Sequence, residues 1–508
     1  MSFLKSYLLA VLILLGYLIY ADGSTCVYEA CTCRLMIASC RNLSSIPPLV
    51  PDFQRFNVTH LIFYPGSITY VGDNSLPPNL TVINFNGNPI TNVSRNAFQA
   101  SSHTLHSLVF RGATFTELPD ALLDLQNLTS LAVSDALIKD WNMSVIQHLN
   151  KSLTNINVAE LTSWPKWIFE LTSLESISIS DTNISSIPDN AFSNVIDSLS
   201  ILSLNNDSLH TVPKAIAQLN LTSLSLTGNG LSDATGIPKA EHIDLSNNAL
   251  SDPDKLVSAL KPLGARIEAL YLDSNNLTVI PSLDNLDIVR LIMSRNQISD
   301  HKQGSLPQSL TILGLSGNRL TMLPTMVANL PNIENLDLSS NVIINISTTM
   351  IHPNLQGLYL QSNNISQLLS TDFPVKSSLR YLQASANPIV NIPADAFKNL
   401  QSLTELRLDN TKLTGVPLFL TSLVNLESLS MKNVPGLTCA CPRDESLVKW
   451  FSSDKLKYVS GTCSNGAHIQ DFYSEQNTAR CGVVPLLSSL RCISFSFLML
   501  LLLYVFRI

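Results

Sequence analysis

One spacing recurs along the chain and leaves it little choice of fold: L-x-x-L-x-L-x-x-N-x-L. It is clearest in LTILGLSGNRLTMLP, from Leu310 to Pro324, in IENLDLSSNVI from Ile333 and in LQGLYLQSNNI from Leu355. Seventeen starts can be placed, at 58, 80, 105, 128, 153, 174, 199, 221, 240, 267, 288, 310, 333, 355, 379, 403 and 426, at intervals of 19 to 27 residues averaging 23. Strand side chains alternate, so the two leucines of L-x-L point the same way. Each repeat then gives one short strand, and stacked strands make a parallel sheet. No single coil can bury its apolar side alone, so the leucines of successive coils must meet in one core. The ninth-place Asn can bond backbone groups that the turn would otherwise bury unpaired. Pieces such as IPDNAF and IPADAF follow, where Pro stops any strand. The ladder is unbroken from Asn229 through Asn248, Asn275, Asn296, Asn318, Asn341, Asn363 and Asn387. Earlier, the same place holds Ala113, Ala136, Leu161, Thr182 and Asp207, which predicts a less regular amino-terminal half or a misplaced repeat there.

The ends of the chain set the compartment. MSFLKS and the apolar YLLAVLILLGYLIY, followed by Ala21 and Gly23, form a secretory signal over residues 1–23; an uncleaved anchor is the alternative. Nine cysteines fall outside the repeats: Cys26, Cys31, Cys33 and Cys40 before them, Cys439, Cys441, Cys463 and Cys481 after them, and Cys492 in an apolar tail. In an oxidising compartment two groups of four read as two pairs of disulfides, with three connectivities open in each. Metal sites at the C-x-C pairs lack the doubled C-x2-C spacing of zinc modules.

A stack of coils has two raw apolar ends that need caps. CVYEACTCRLMIASC precedes the repeats, and CACPRDESLVKWFSSDKLKYVSGTC follows them with Trp450 after its first cysteine pair. The chain thus resembles extracellular leucine-rich repeat proteins with cysteine-rich caps, the plan of Toll-like receptor ectodomains, small leucine-rich proteoglycans and variable lymphocyte receptors. The resemblance implies an α/β repeat solenoid, a horseshoe with a concave parallel sheet and a disulfide cap at each end. It implies the bonds Cys26–Cys33, Cys31–Cys40, Cys439–Cys463 and Cys441–Cys481. Val27 departs from the family's Pro after the first cap cysteine. The expected division is signal 1–23, amino cap 24–57, about 17 repeats over 58–438, carboxyl cap 439–482 and tail 483–508.

Only 14% of residues are charged, against roughly 25% in average soluble proteins, and no basic stripe appears, which argues against nucleic acid. The nine His are scattered, and no H-E-x-x-H, G-x-S-x-G or phosphate loop occurs. His103 and His106 lack an acidic partner, and Asp252 and Asp254 beside Pro253 read as turn residues. An enzyme is not expected, nor a cofactor or metal.

Thirteen N-x-S/T sequons occur, at Asn42, Asn57, Asn79, Asn92, Asn127, Asn142, Asn150, Asn183, Asn206, Asn220, Asn276, Asn345 and Asn364, ten of them before residue 221. None falls on the outward strand places. The barer half carries Tyr271, Tyr359 and Arg407 at the fifth place of a repeat and Arg290 and Tyr381 at the third. Tyr and Arg anchor interfaces more than most residues, although Tyr also suits strands for packing reasons.

The tail runs apolar for fifteen residues, Cys492 to Phe506, short of the roughly 20 a spanning helix needs. A GPI attachment signal is expected, with Ser488 or Gly482 as the attachment residue; a short span or a secreted form are the alternatives. The sequence therefore describes a membrane-attached glycoprotein on the outer face of the plasma membrane. It would bind an extracellular protein or glycan partner through the repeats, in recognition, adhesion or a co-receptor role beside a transmembrane partner. A surface coat without a hot spot, or a secreted inhibitor of an extracellular hydrolase, are the alternatives.

Overall fold

The computed structural model describes residues 26–474, apart from 135–137, 139, 140 and 265. The signal segment, Cys481, Cys492, Gly482, Ser488 and the tail 483–508 lie outside the described residues. Two compact units divide the chain, Met1–Tyr271 and Leu272–Ile508.

In the first unit, an antiparallel hairpin of Cys31–Arg34 and Ile37–Cys40 opens the sheet. It is stapled by Cys26–Cys33 and Cys31–Cys40, the pairing the resemblance implied. Ile37–Cys40 then pairs in parallel with His60–Phe63, and each repeat adds one parallel strand up to Ala269–Tyr271. Early in this unit the sixth place is Phe rather than Leu. Phe63, Phe85 and Phe110 are fully buried and stack with centroids 5.2 and 5.4 Å apart. Tyr28 of the cap closes this aromatic column, 6.2 Å from Phe63, and its hydroxyl donates to Ser75 O at 2.6 Å. Burial without charge compensation pushes that phenol far above its ordinary pKa.

The second unit repeats the scheme from Arg290–Ile292 to Ser428–Met431, all parallel. The cap strand Tyr458–Gly461 pairs onto Ser428–Met431 and Cys439–Cys463 ties the cap together. Cys441 is also disulfide-bonded. The cap helix Glu445–Phe451 starts where Asp444 accepts from Ser446 and Leu447 N–H. Trp450 lies on it and donates its indole N–H to Leu423 O at 3.1 Å. Short 3-10 turns, rather than α-helices, close most coils, and Pro119, Pro165, Pro213, Pro324 and Pro417 stand just before five of them.

All seventeen predicted first places are buried, including those between 105 and 221, so no repeat was misplaced. What is irregular in that stretch is the ladder, not the register. Asn88, Asn229 and Asn248 hold it in the first unit and six asparagines, Asn275 to Asn387, in the second, all at most 9% exposed. Asn341 shows an amide used in both directions. Asn341 Nδ2 donates to Leu315 O at 2.9 Å and Leu338 O at 3.1 Å, while its Oδ1 accepts from Leu320 N at 3.0 Å. One further expectation needs correcting. Asp252 is a helix cap, not a turn residue: it accepts from Asp254 and Lys255 N–H and opens the helix Pro253–Leu260, with Pro253 at its first position.

Asp207 is the weak rung. It accepts from Thr182 N at 3.1 Å and Thr182 Oγ1 at 2.6 Å. An ionised carboxylate has no proton to donate, and the Oδ1 of Asn229, on the next coil, is buried without a partner. Burial, with the Asp181 charge adding to it, raises the Asp207 pKa to about 6 against the pull of Thr182. The folded state thus holds this proton more tightly than the unfolded chain, whose Asp titrates near about 3.9. That contribution is full below about pH 4 and lost as pH rises through about 6. Asp207→Asn is expected to stabilise the protein by about 1–3 kcal/mol at pH 7 and by less at pH 4.5. Urea unfolding at the two pH values checks this; an equal gain at both, or a loss at pH 7, would contradict it.

Candidate binding surface

Fourth- and sixth-place leucines fill the core, so the third and fifth places of each strand face outward. On the second unit these outward places gather a set of large side chains on three adjacent strands, Gly357–Tyr359, Tyr381–Gln383 and Glu405–Arg407. Gly357 lies opposite Tyr381 and Tyr359 opposite Gln383; Tyr381 lies opposite Glu405 and Gln383 opposite Arg407.

The Tyr359 ring leans across its own strand. A Cβ at Gly357 would press on Asn335 Oδ1 and lie 3.2 Å from Tyr359 Cε2, so a side chain there shifts both neighbours. Burial lifts the Tyr359 hydroxyl pKa above its ordinary value, and Glu405, Tyr381 and Asp337 reinforce the shift in that order. Tyr381 is 42% exposed. Arg407 Nε donates to Glu405 Oε1 at 2.6 Å. An exposed pair of this kind adds at most about 1 kcal/mol of stability, but it fixes the direction of the guanidinium fork. Beyond it the cap strand adds Tyr458, 72% exposed. The Oε1 of Gln361, two residues after Tyr359, is buried with no partner among the described residues.

Three of the five predicted binding residues, Tyr359, Tyr381 and Arg407, thus come together. Arg290 does not join them: its strand is separated from Gly357–Tyr359 by Ile312–Gly314 and Asn335–Asp337, about 14 Å at the usual strand spacing. Tyr271 is half-buried in the first unit, opposite Asp244. Sequence reasoning missed Gly357, Asn335, Gln383, Glu405 and Tyr458. Asn335 and Gln383 needed the cross-strand register, Gly357 and Glu405 act within their own strands through side-chain geometry, and Tyr458 sits in the cap, outside the repeat pattern.

On three successive strands late in the first unit the outward places are mostly small: Ser176, Ser178, Ser203, Ser223 and Ser225 occupy them, half-buried, with Ile201. His103 and His106 are exposed, and His106 Nδ1 is 2.6 Å from Thr104 O. Among the described residues no cluster of His, Cys, Asp or Glu is gathered as a metal site, and no helix is long and apolar enough to cross a membrane. Eleven sequon asparagines are exposed, and Asn142 and Asn150 are half-buried.

The family model described as "Leucine rich repeat" matches residues 172–231, 308–365 and 377–433. With the parallel coils and the ladder, these matches show that the chain carries leucine-rich repeats. Keratocan of Danio rerio is 29% identical to it over 245 residues, 46% of this chain and 68% of that protein. Lumican of Gallus gallus is 31% identical over 215 residues, 41% of this chain and 55% of that protein. The chain therefore spans about half to two thirds of those relatives. Among solved structures, the mouse RP105/MD-1 complex superposes with a TM-score of 0.56 at 18% identity, covering 87% of this chain and 78% of that one. At that identity the likeness concerns the fold alone.

Proposed function

We propose that this chain is an extracellular recognition protein that binds a protein partner through the outward strand places of its second unit. The observation that carries it is the Tyr359, Tyr381, Gln383, Glu405 and Arg407 group on three adjacent strands. It offers two phenol rings and a guanidinium paired with Glu405, and Tyr and Arg are among the side chains that anchor protein interfaces most often. Disulfide caps fit an oxidising compartment. RP105, whose fold it shares, was solved in complex with another protein, MD-1. The mixed charge of Glu405 and Arg407 and the acidic sequence disfavour nucleic acid. The test is to display the full chain on cells and challenge it with an array of secreted and ectodomain proteins. A partner whose binding depends on Tyr359, Tyr381 and Arg407 is expected; partners indifferent to all three would point to the surface-coat alternative.

The membrane side of the proposal rests on the apolar run 492–506, which supports attachment by a glycolipid in place of the tail. With one epitope tag after Gly23 and another after Ile508, phosphatidylinositol-specific phospholipase C on intact cells should release the first tag. The second should be absent from mature protein. Retention of both tags on the cell would overturn lipid attachment.

A further inference from the structure

Five sequons have the form Asn–apolar–Thr; Asn276-Leu277-Thr278 follows the ladder place of its repeat, and the other four, Asn57-Val58-Thr59, Asn79-Leu80-Thr81, Asn127-Leu128-Thr129 and Asn220-Leu221-Thr222, share another place. In each of these four, the middle residue is the first core place of a repeat, with Val58, Leu80, Leu128 and Leu221 at most 6% exposed. The asparagine therefore stands at the edge where the chain enters the strand. Register turns this into a line. His60 pairs with Val82, Val82 with Ser107, and Ser107 with Ser130. Onward, Ser130 pairs with Asn155, Asn155 with Ser176, Ser176 with Ile201, and Ile201 with Ser223. Three residues back along each strand, Asn57, Asn79, Asn127 and Asn220 occupy the first, second, fourth and eighth rungs of one edge. All four are exposed.

The asparagines alone prove little, because the fold has its own use for them. In the second unit the same edge carries Asn332, Asn354 and Asn425, whose Nδ2 groups donate to Gln308, Pro331 and Gln401 O at 2.9, 2.8 and 2.9 Å. Asn127 does likewise to His103 O at 2.7 Å. The third residue of the triplet is not fixed in this way. Thr81 and Thr129 Oγ1 donate to a carbonyl one coil back at 3.1 Å, but Glu334, Gln356 and Glu427 take that place in the second unit. Hence the fold explains Asn–apolar but leaves the third place open. It is Thr after every edge asparagine of the first unit and after none in the second.

We propose that Asn57, Asn79, Asn127 and Asn220 carry N-linked glycans, forming a row along the strand-entry edge of the first unit, while the same edge of the second unit is bare. In the transfer, the amide nitrogen attacks the anomeric carbon of an oligosaccharide carried on a lipid diphosphate. The N–C bond forms, the C–O bond to the diphosphate breaks with its electron pair, and the amide gives up one proton to a base. The row borders the outward strand places of the first unit and keeps a protein partner off that side. This inference does not depend on the binding surface of the second unit.

The test uses the full chain expressed through a secretory pathway. Thr59→Val, Thr81→Val, Thr129→Val and Thr222→Val destroy each sequon yet keep the asparagine and its bond. Each is expected to remove one glycan step in gel mobility, and the quadruple variant four, with all differences abolished by peptide N-glycosidase. Digestion in 18O water should mark the four asparagines. Glu334→Thr completes the triplet at Asn332 and should add one step. A quadruple variant that runs with the wild type would overturn the row, and with Glu334→Thr gaining a step that failure could not be assigned to a closed edge. Glu334→Thr without a gain would overturn the claim that the third residue distinguishes the two units.

Discussion

Asn341→Ala is expected to destabilise the protein by about 3–5 kcal/mol, more than any substitution on the outward face. Asn341 is 6% exposed, and its amide joins two coils: it donates to Leu315 O on the coil before and to Leu338 O and Ser339 O on its own, and accepts from Leu320 N. Alanine supplies none of these bonds and leaves no polar group for the stranded backbone. A buried orphan costs about 1–3 kcal/mol each, reduced where one of the carbonyls keeps a second partner. The edge asparagine Asn332 gives the contrast. Its bond to Gln308 O is exposed, water can replace it, and Asn332→Ala should cost no more than about 1 kcal/mol. Urea unfolding of both variants checks the pair. A loss at Asn341 as small as that at Asn332 would mean that water or a local shift satisfies the turn, and that the ladder is not what holds successive coils.

The second large effect concerns binding. Tyr359→Ala and Tyr381→Ala are each expected to weaken a partner's affinity by about 30-fold or more, the roughly 2 kcal/mol of an interface hot spot. Gly357→Ala should weaken it by about 10-fold or more even though glycine offers a partner no side chain. The added Cβ would displace Asn335 Oδ1 and press on the Tyr359 ring at 3.2 Å, shifting the ring from its position. Equilibrium binding to cells displaying each variant at matched surface level measures the losses. Full affinity in Gly357→Ala would show that the orientation of Tyr359 does not matter.

The sequence made the repeat architecture legible because leucine spacing reports a period of two within strands and about 23 between them. Each predicted first place is buried for that reason, including Ala240, the smallest. The cap pairings Cys26–Cys33, Cys31–Cys40 and Cys439–Cys463 came from family resemblance, not from spacing, and the structure has them. The candidate site was legible only in part. Tyr359, Tyr381 and Arg407 could be placed on the outward side by counting along one strand. The Glu405–Arg407 pair and the closeness of Gly357 to Tyr359 lie within single strands, where side-chain conformation decides them and leucine spacing says nothing. That Tyr381 lies opposite Glu405, and that Arg290 stands apart, depend on register between strands more than twenty residues apart. Variable loop lengths hide that register from periodicity. Asp252 was misjudged because a cap and a turn use the same residue beside Pro; only the eight residues of helix that follow tell them apart.

The most direct test of the proposed recognition surface places a photoreactive benzoylphenylalanine at position 381 of the full chain on living cells, and at position 178 as a comparison. Both positions face outward from strands, one on the second unit and one on the first. The account predicts that a partner identified by the extracellular array is captured from position 381 and not from position 178. Capture from 178 with none from 381 would contradict it and move the binding surface to the first unit.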